Sequence, residues 1–188
     1  YAVTLGDSHV RAELTAGPRT GLHRYTFQKG DRAQVLIDLR SSIYNYSGKV
    51  LWSRLRVSSD GVVTGYRETR GWATGRQLYF AMQFSQPFIQ RDIQNREEAV
   101  EYRGFAGPGS NGKDKVKIEG KALVASFDFG QAKDQTVMVE VAISAVSEEG
   151  AIANLQEMSG WDFNAERAKA SAAWDEALSA INIEAKPE

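Results

Sequence analysis

Apolar and polar residues alternate along most of the chain in short runs broken by turn residues, the two-residue period of strands with one buried face. Tyr1, Val3 and Leu5 alternate with Ala2 and Thr4, and after the Gly6-Asp7 turn Val10, Ala12, Leu14 and Ala16 repeat the pattern. A strand is predicted over 20–27. A Lys29-Gly30-Asp31 turn then leads to the near-continuous apolar run Val35-Leu36-Ile37-Asp38-Leu39. Such a run predicts a strand buried on both faces. Further strands are predicted over 49–57, 62–67, 77–84, 88–93, 99–102, 116–118, 122–129 and 137–146. Many short strands with no helices between them predict a mainly β fold, a large antiparallel β-sandwich, rather than a parallel sheet.

The period changes at Ser147. Ser147-Glu148-Glu149 has the form of an N-cap followed by acidic first-turn residues, predicting a short helix over 151–158 that ends near Gly160. Asp162 caps a second predicted helix, on which Phe163, Trp174, Leu178 and Ile181 fall on one apolar stripe. The charged, proline-containing run Asn182-Ile183-Glu184-Ala185-Lys186-Pro187 then reads as the opening of a linker. Two regions follow: a sandwich over 1–146 and a helical segment over 147–188 that packs on it.

Hydrophobic residues make up 42% of the 188-residue chain, enough for a real core. With 23 basic and 24 acidic residues the net charge is −1, and the arginines at 54, 56, 67, 70 and 76 are scattered. A near-neutral chain lacks the field that draws nucleic acid or an anionic membrane, so neither is an expected partner. No stretch approaches the roughly 20 apolar residues of a membrane helix. There is no cysteine, which removes disulfides, thiol nucleophiles and thiolate metal sites together. Tyr1 is not a natural start, so a segment removed upstream is expected.

Candidate chemistry is sparse. Gly107-Pro108-Gly109-Ser110-Asn111-Gly112-Lys113 fills the first seven places of a phosphate-binding loop, but Asp114 stands where a hydroxyl should hold magnesium, and a strand rather than a helix follows. A glycine-rich turn accounts for it. The same turn explains Ser110-x-x-Lys113, which lacks the helix that serine–lysine acyl enzymes need. His9 and His23 are the only histidines and do not have metal-ligand spacing. Asp38, Glu68, Asp92, Glu101 and Glu140 are acids of the type glycoside chemistry uses, with nothing to pair any two of them. Asn45-Tyr46-Ser47 matches a glycosylation acceptor. Among the aromatics Trp52, Tyr66, Trp72, Tyr79 and Tyr102, Trp72 stands out because it follows Arg70-Gly71 at a strand end or loop, where binding residues concentrate. Core packing is the competing role for each of them. No catalytic residue and no metal ligand is assigned; Trp72 and Arg70 are the carbohydrate-contact candidates.

Three stretches occur together in order. Tyr1-Ala-Val-Thr-Leu, Ala12-Glu-Leu-Thr-Ala and Gly21-Leu-His-Arg-Tyr-Thr-Phe27 lie near the start. Gly65-Tyr-Arg-Glu-Thr-Arg-Gly-Trp-Ala73, Leu78-Tyr-Phe and Phe84-Ser-Gln-Pro-Phe88 occupy the middle. Val141-Ala-Ile-Ser, Trp161-Asp-Phe-Asn and Ala173-Trp-Asp-Glu-Ala-Leu178 close the series. This order resembles the N-terminal domain of the family 92 glycoside hydrolases, bacterial α-mannosidases acting mainly on α-1,2-linked mannose.

The resemblance implies a supersandwich-like β domain and a helical linker leading into a missing catalytic (α/α)6 barrel. Inverting catalysis and calcium would then belong to that barrel, leaving no cofactor in this chain. The implied partners are the chain's own C-terminal catalytic domain and a mannose-containing glycan at the domain junction. The implied location is secreted, periplasmic or outer-surface. A glycine-rich sugar-contacting stretch that the family carries before the position of Tyr1 is absent. The reading is therefore of a non-catalytic supporting domain, with an autonomous carbohydrate-binding module as the alternative and an independent β-sandwich enzyme as a third.

Overall fold

The computed structural model describes residues 1–41, 46–96, 114–158 and 160–181. The strand predicted over 99–102, the glycine-rich turn, Glu101, Tyr102, Asn45 and the tail from Asn182 lie outside the described residues. The chain begins with β1 (Ala2–Thr4), β2 (Arg11–Ala16), β3 (Thr20–Thr26) and β4 (Ala33–Asp38). It continues with β5 (Val50–Ser58), β6 (Val63–Arg70), β7 (Thr74–Phe84) and β8 (Gln90–Asn95). The last strands are β9 (Asp114–Gly120), β10 (Leu123–Gly130) and β11 (Thr136–Ser144), followed by helices α1 (Glu148–Leu155) and α2 (Phe163–Leu178).

Eight strands form one antiparallel sheet in the order β1-β2-β3-β11-β7-β6-β5-β9, and three form a second in the order β4-β10-β8. Inward side chains of the two sheets meet in one core. Leu55 and Val57 of β5, Val63 of β6 and Val137 of β11 pack with Leu123, Ala125 and Phe127 of β10. Phe84 anchors this core, with ring centroids 5.1 Å from both Phe127 and Phe129. Each such buried side chain contributes about 1.5–3 kcal/mol. The fold is thus the predicted antiparallel sandwich with two C-terminal helices.

The run at 35–39 is not buried on both faces. Among the described strands β4 pairs only with β10 and forms an edge of the small sheet. Ala33 and Leu39 are buried and Val35 and Ile37 pack against the core, whereas Leu36 is 64% exposed. The doubly covered strand is β10, in the middle of its sheet, where Leu123, Val124, Ala125, Phe127, Asp128 and Phe129 are all buried. Hydropathy counts apolar residues but does not report a strand's neighbours, and Leu36 inflated the count.

The outer face of the large sheet carries the helices. The Ser147 hydroxyl accepts the Gly150 N–H at 3.0 Å, and the Asp162 carboxylate accepts those of Asn164 and Ala165, so both predicted caps form. α1 sets Ala151 and Leu155 on Ala81 and Ala142. Phe163 opens α2 and is buried on the sheet beneath the Arg24 guanidinium, 4.4 Å from its ring centroid. The predicted stripe divides there: Trp174, Leu178 and Ile181 are exposed among the described residues. Among the described residues no helix is long and apolar enough to cross a membrane.

Candidate functional site

The β6–β7 hairpin carries Arg70 and Trp72 to one end of the sandwich. Its strands keep register as far as Thr69 opposite Arg76, then shift so that Arg70 faces Thr74. Gly75 is the extra residue and takes φ +79°, the left-handed conformation that a glycine bulge requires. The remaining tip, Gly71-Trp72-Ala73, leaves the Trp72 indole completely exposed. The root is fixed. The Arg70 backbone N–H donates to the Lys49 carbonyl at 2.8 Å, and its carbonyl accepts the Tyr46 hydroxyl at 2.9 Å. Lys49 in turn places its ammonium 5.1 Å from the Tyr46 ring centroid. Exposing an indole forgoes burial that the core would reward, so the pinned hairpin holds an uncovered aromatic face at this end of the sandwich.

Beside the root lies an open cleft of about 580 Å³ lined by Arg40, Tyr46, Lys49 and Lys121. Arg40 is bound there by Asp38, with Nε and Nη2 donating at 3.0 and 2.8 Å. Those hydrogen bonds hold the Asp38 carboxyl down to about 2.

Behind the hairpin, the outer face of β5, β6 and β7 is a polar and aromatic ladder. Gln77 donates to Glu68 at 3.1 Å and accepts the Tyr79 hydroxyl at 2.5 Å. The Tyr66 and Tyr79 rings sit 5.7 Å apart, and the Arg54 guanidinium lies 4.9 Å from the Tyr66 centroid. Trp52 is opposite Glu68 on the neighbouring strand. Of the aromatics singled out in the sequence, Tyr66 and Tyr79 are therefore brought together as part of the sheet surface, while Trp72 stands at the tip.

The candidate acids are dispersed. Asp38 pairs with Arg40 on the small sheet, Glu68 with Gln77 on the large one, and Asp92 with Gln94 on β8. Glu140 is buried on β11, where its Oε2 accepts from Gln83 and its Oε1 has no partner among the described residues. Burial first, and the nearby Glu166 charge, raise its pKa against the lowering effect of Gln83. His23 is half-buried with Nδ1 2.9 Å from the Tyr25 hydroxyl, and burial lowers its pKa. His9 lies in the β1–β2 loop at φ +53°. No cluster of three or more His, Asp or Glu able to hold a metal occurs among the described residues.

One structural residue escaped the sequence reading. Glu148, read only as a first-turn acid, is buried and accepts from Arg54 Nε at 2.9 Å and from Thr64 Oγ1 at 3.2 Å. The signal was Arg54 and Arg56, two cations on one face of a strand that need a counter-charge from whatever covers them.

Comparison with known proteins supplies the context. The family model described as the glycosyl hydrolase family 92 N-terminal domain matches residues 1–144. The family GH92 alpha-mannosidase BT3965 from Bacteroides thetaiotaomicron is 34% identical, with a TM-score of 0.82 over 99% of this chain and 24% of its own. The same mannosidase in complex with mannoimidazole superposes with a TM-score of 0.81 at 34% identity, over 99% of this chain and 23% of that one. The GH92 inverting mannosidase BT2199 from the same organism shares the fold at 21% identity, with a TM-score of 0.75 over 98% of this chain and 22% of its own. None of the curated proteins is a significant match. This chain spans about a quarter of the length of the mannosidases it resembles. The chain belongs to glycoside hydrolase family 92, of which it is an N-terminal domain.

Proposed function

We propose that this domain is the non-catalytic N-terminal part of an exported α-mannosidase, supporting a C-terminal catalytic domain and helping to form a glycan site at their junction. The hairpin end is the domain's contribution to that site. Trp72 offers an uncovered aromatic face for the C–H face of a mannose ring, and Arg70 offers hydrogen-bond donors beside it. The observation that carries this reading is the full exposure of Trp72 on a hairpin whose root is pinned by Tyr46 and Lys49. The scattered acids support the non-catalytic half, since inverting hydrolysis needs two facing carboxyl groups, about 6.5–9.5 Å apart. Calcium, expected in family members, is assigned to the catalytic domain. Export follows from the size of glycan substrates, which are met outside the cytoplasm.

The test is Trp72→Ala in the full-length protein. Its kcat/KM on an α-1,2-linked mannobiose should fall at least about tenfold, or about 1.4 kcal/mol of transition-state stabilisation. The unfolding midpoint should not move, because the side chain touches no core. Unchanged kcat/KM would remove the hairpin from the site. Trp72 also suits the alternative of an autonomous carbohydrate-binding module, in which case chain 1–188 alone would bind mannobiose with a Kd tighter than about 1 mM.

A further inference from the structure

A larger cleft than the one beside the hairpin lies at the other end of the sandwich among the described residues, and the reading of the hairpin does not use it. There the β1–β2 loop of the large sheet and the β3–β4 connection border an open cleft of about 740 Å³. Its location follows from register. Thr4 pairs with Arg11 and Thr26 with Arg11 and Thr136, at the end where β6 begins rather than where it turns. The eight residues of β6 put the two ends roughly 25 Å apart.

The lining is of two kinds. Half-buried Tyr25 and the edge of the largely buried Phe27 line its base, with exposed Leu5 and Leu36 as apolar lips. Tyr25 is fixed by its hydroxyl contact with His23 Nδ1 at 2.9 Å. Polar groups ring the mouth. Asp128 holds Arg32 and, at 3.5 Å, Gln34, and its own Oδ1 accepts the Gly130 N–H at 2.7 Å. Asp7, His9 and Asp31 also line the cleft, and their side chains bond to no other side chain among the described residues. His9 is held there at φ +53° by two backbone bonds of 2.9 Å, His9 N–H to the Leu5 carbonyl and Leu5 N–H to that of Val10. A non-glycine residue kept in that conformation costs about 1 kcal/mol or more and recurs at ligand clamps.

We propose that this cleft is a second, non-catalytic saccharide site, binding a neutral pyranose unit of a glycan. The volume is in the range of small-molecule sites, about 300–1,000 Å³. The aromatic groups at its base suit the C–H face of a sugar ring. Carboxylate, amide and guanidinium groups around it are planar, two-pronged partners for vicinal hydroxyls. The charge excludes anions: Arg32 is already committed to Asp128, leaving the carboxylates of Asp7 and Asp31 in excess. A phosphorylated or acidic ligand is therefore disfavoured, whereas neutral hydroxyls can donate to both acids.

The experiment is a titration of the chain with methyl α-mannoside, methyl α-glucoside and methyl β-galactoside, read by calorimetry and by ligand-observed NMR, with inorganic phosphate as the anionic probe. At least one pyranoside should bind with a Kd of about 0.1–10 mM, and phosphate should not bind. The double variant Asp7→Asn/Asp31→Asn and the variant His9→Gly should each weaken that binding at least about tenfold. Both preserve the backbone, so circular dichroism should match the parent; the melting temperature of the double variant should stay within a few degrees of it, and that of His9→Gly, which relieves the positive φ, should be equal or a few degrees higher. Trp72→Ala should leave this binding intact, which separates the cleft from the hairpin. Absence of binding by all three sugars, insensitivity to the rim variants, loss only with Trp72→Ala, or preference for phosphate would each overturn the proposal.

Discussion

Glu140 shows what burial does to an acid with only half of its hydrogen bonds made. Gln83 satisfies one oxygen, the other is unpartnered among the described residues, and burial together with Glu166 raises the pKa above the ordinary 4.5. An acid whose pKa rises on folding contributes most to stability below its ordinary value, and that contribution is lost as pH rises through the folded value. Glu140→Gln should therefore raise stability by about 1 kcal/mol at pH 7, a few degrees in melting temperature, and give no gain at pH 4. Equal gains at both pH values would remove the charge from the explanation. At this scale the place of Trp72 at a strand end or loop was legible, because a tryptophan after Arg-Gly in a strand-end pattern points to a tip. Glu148 was not legible as a partner of Arg54, because the contact spans 94 residues and depends on how α1 crosses the sheet.

At the scale of elements, α1 is bound to the sheet by one buried charge pair and a small apolar patch. Removing Glu148 leaves Arg54 and Arg56 beneath the helix without it, so Glu148→Ala should cost about 3–5 kcal/mol in urea unfolding. A loss under about 1 kcal/mol would show that water replaces the carboxylate. The β5–β6 pair rests on a glycine. A Cβ at Gly65 would lie 2.0 Å from the Arg54 carbonyl oxygen and 2.8 Å from the Phe80 ring. Gly65→Ala should cost about 1–3 kcal/mol or more by forcing the strands apart. Both helix caps were readable from Ser147 and Asp162, since capping is local chemistry. The place of β4 was not readable, because whether a run of apolar residues is an edge or a centre depends on strands distant in the chain.

At the scale of the molecule, alternating strands followed by two capped helices were enough to predict an antiparallel sandwich with two C-terminal helices. Strand order was beyond that pattern: β11 inserts between β3 and β7, and β10 lies between β4 and β8, pairings set by the packing of both sheets around Phe84 and Phe127. The distribution of chemistry follows from this architecture. Among the described residues the core is apolar, the candidate acids are spread over the outer faces of both sheets, and the exposed Trp72 is at one end, an arrangement that suits the proposed support with a contact edge. The measurement that tests this most directly is mannose release from an α-1,2-linked mannobiose by chain 1–188 alone, with calcium supplied. The account predicts a rate indistinguishable from buffer. Sustained calcium-dependent turnover by the purified domain, abolished by substituting one of its own carboxylates, would contradict it.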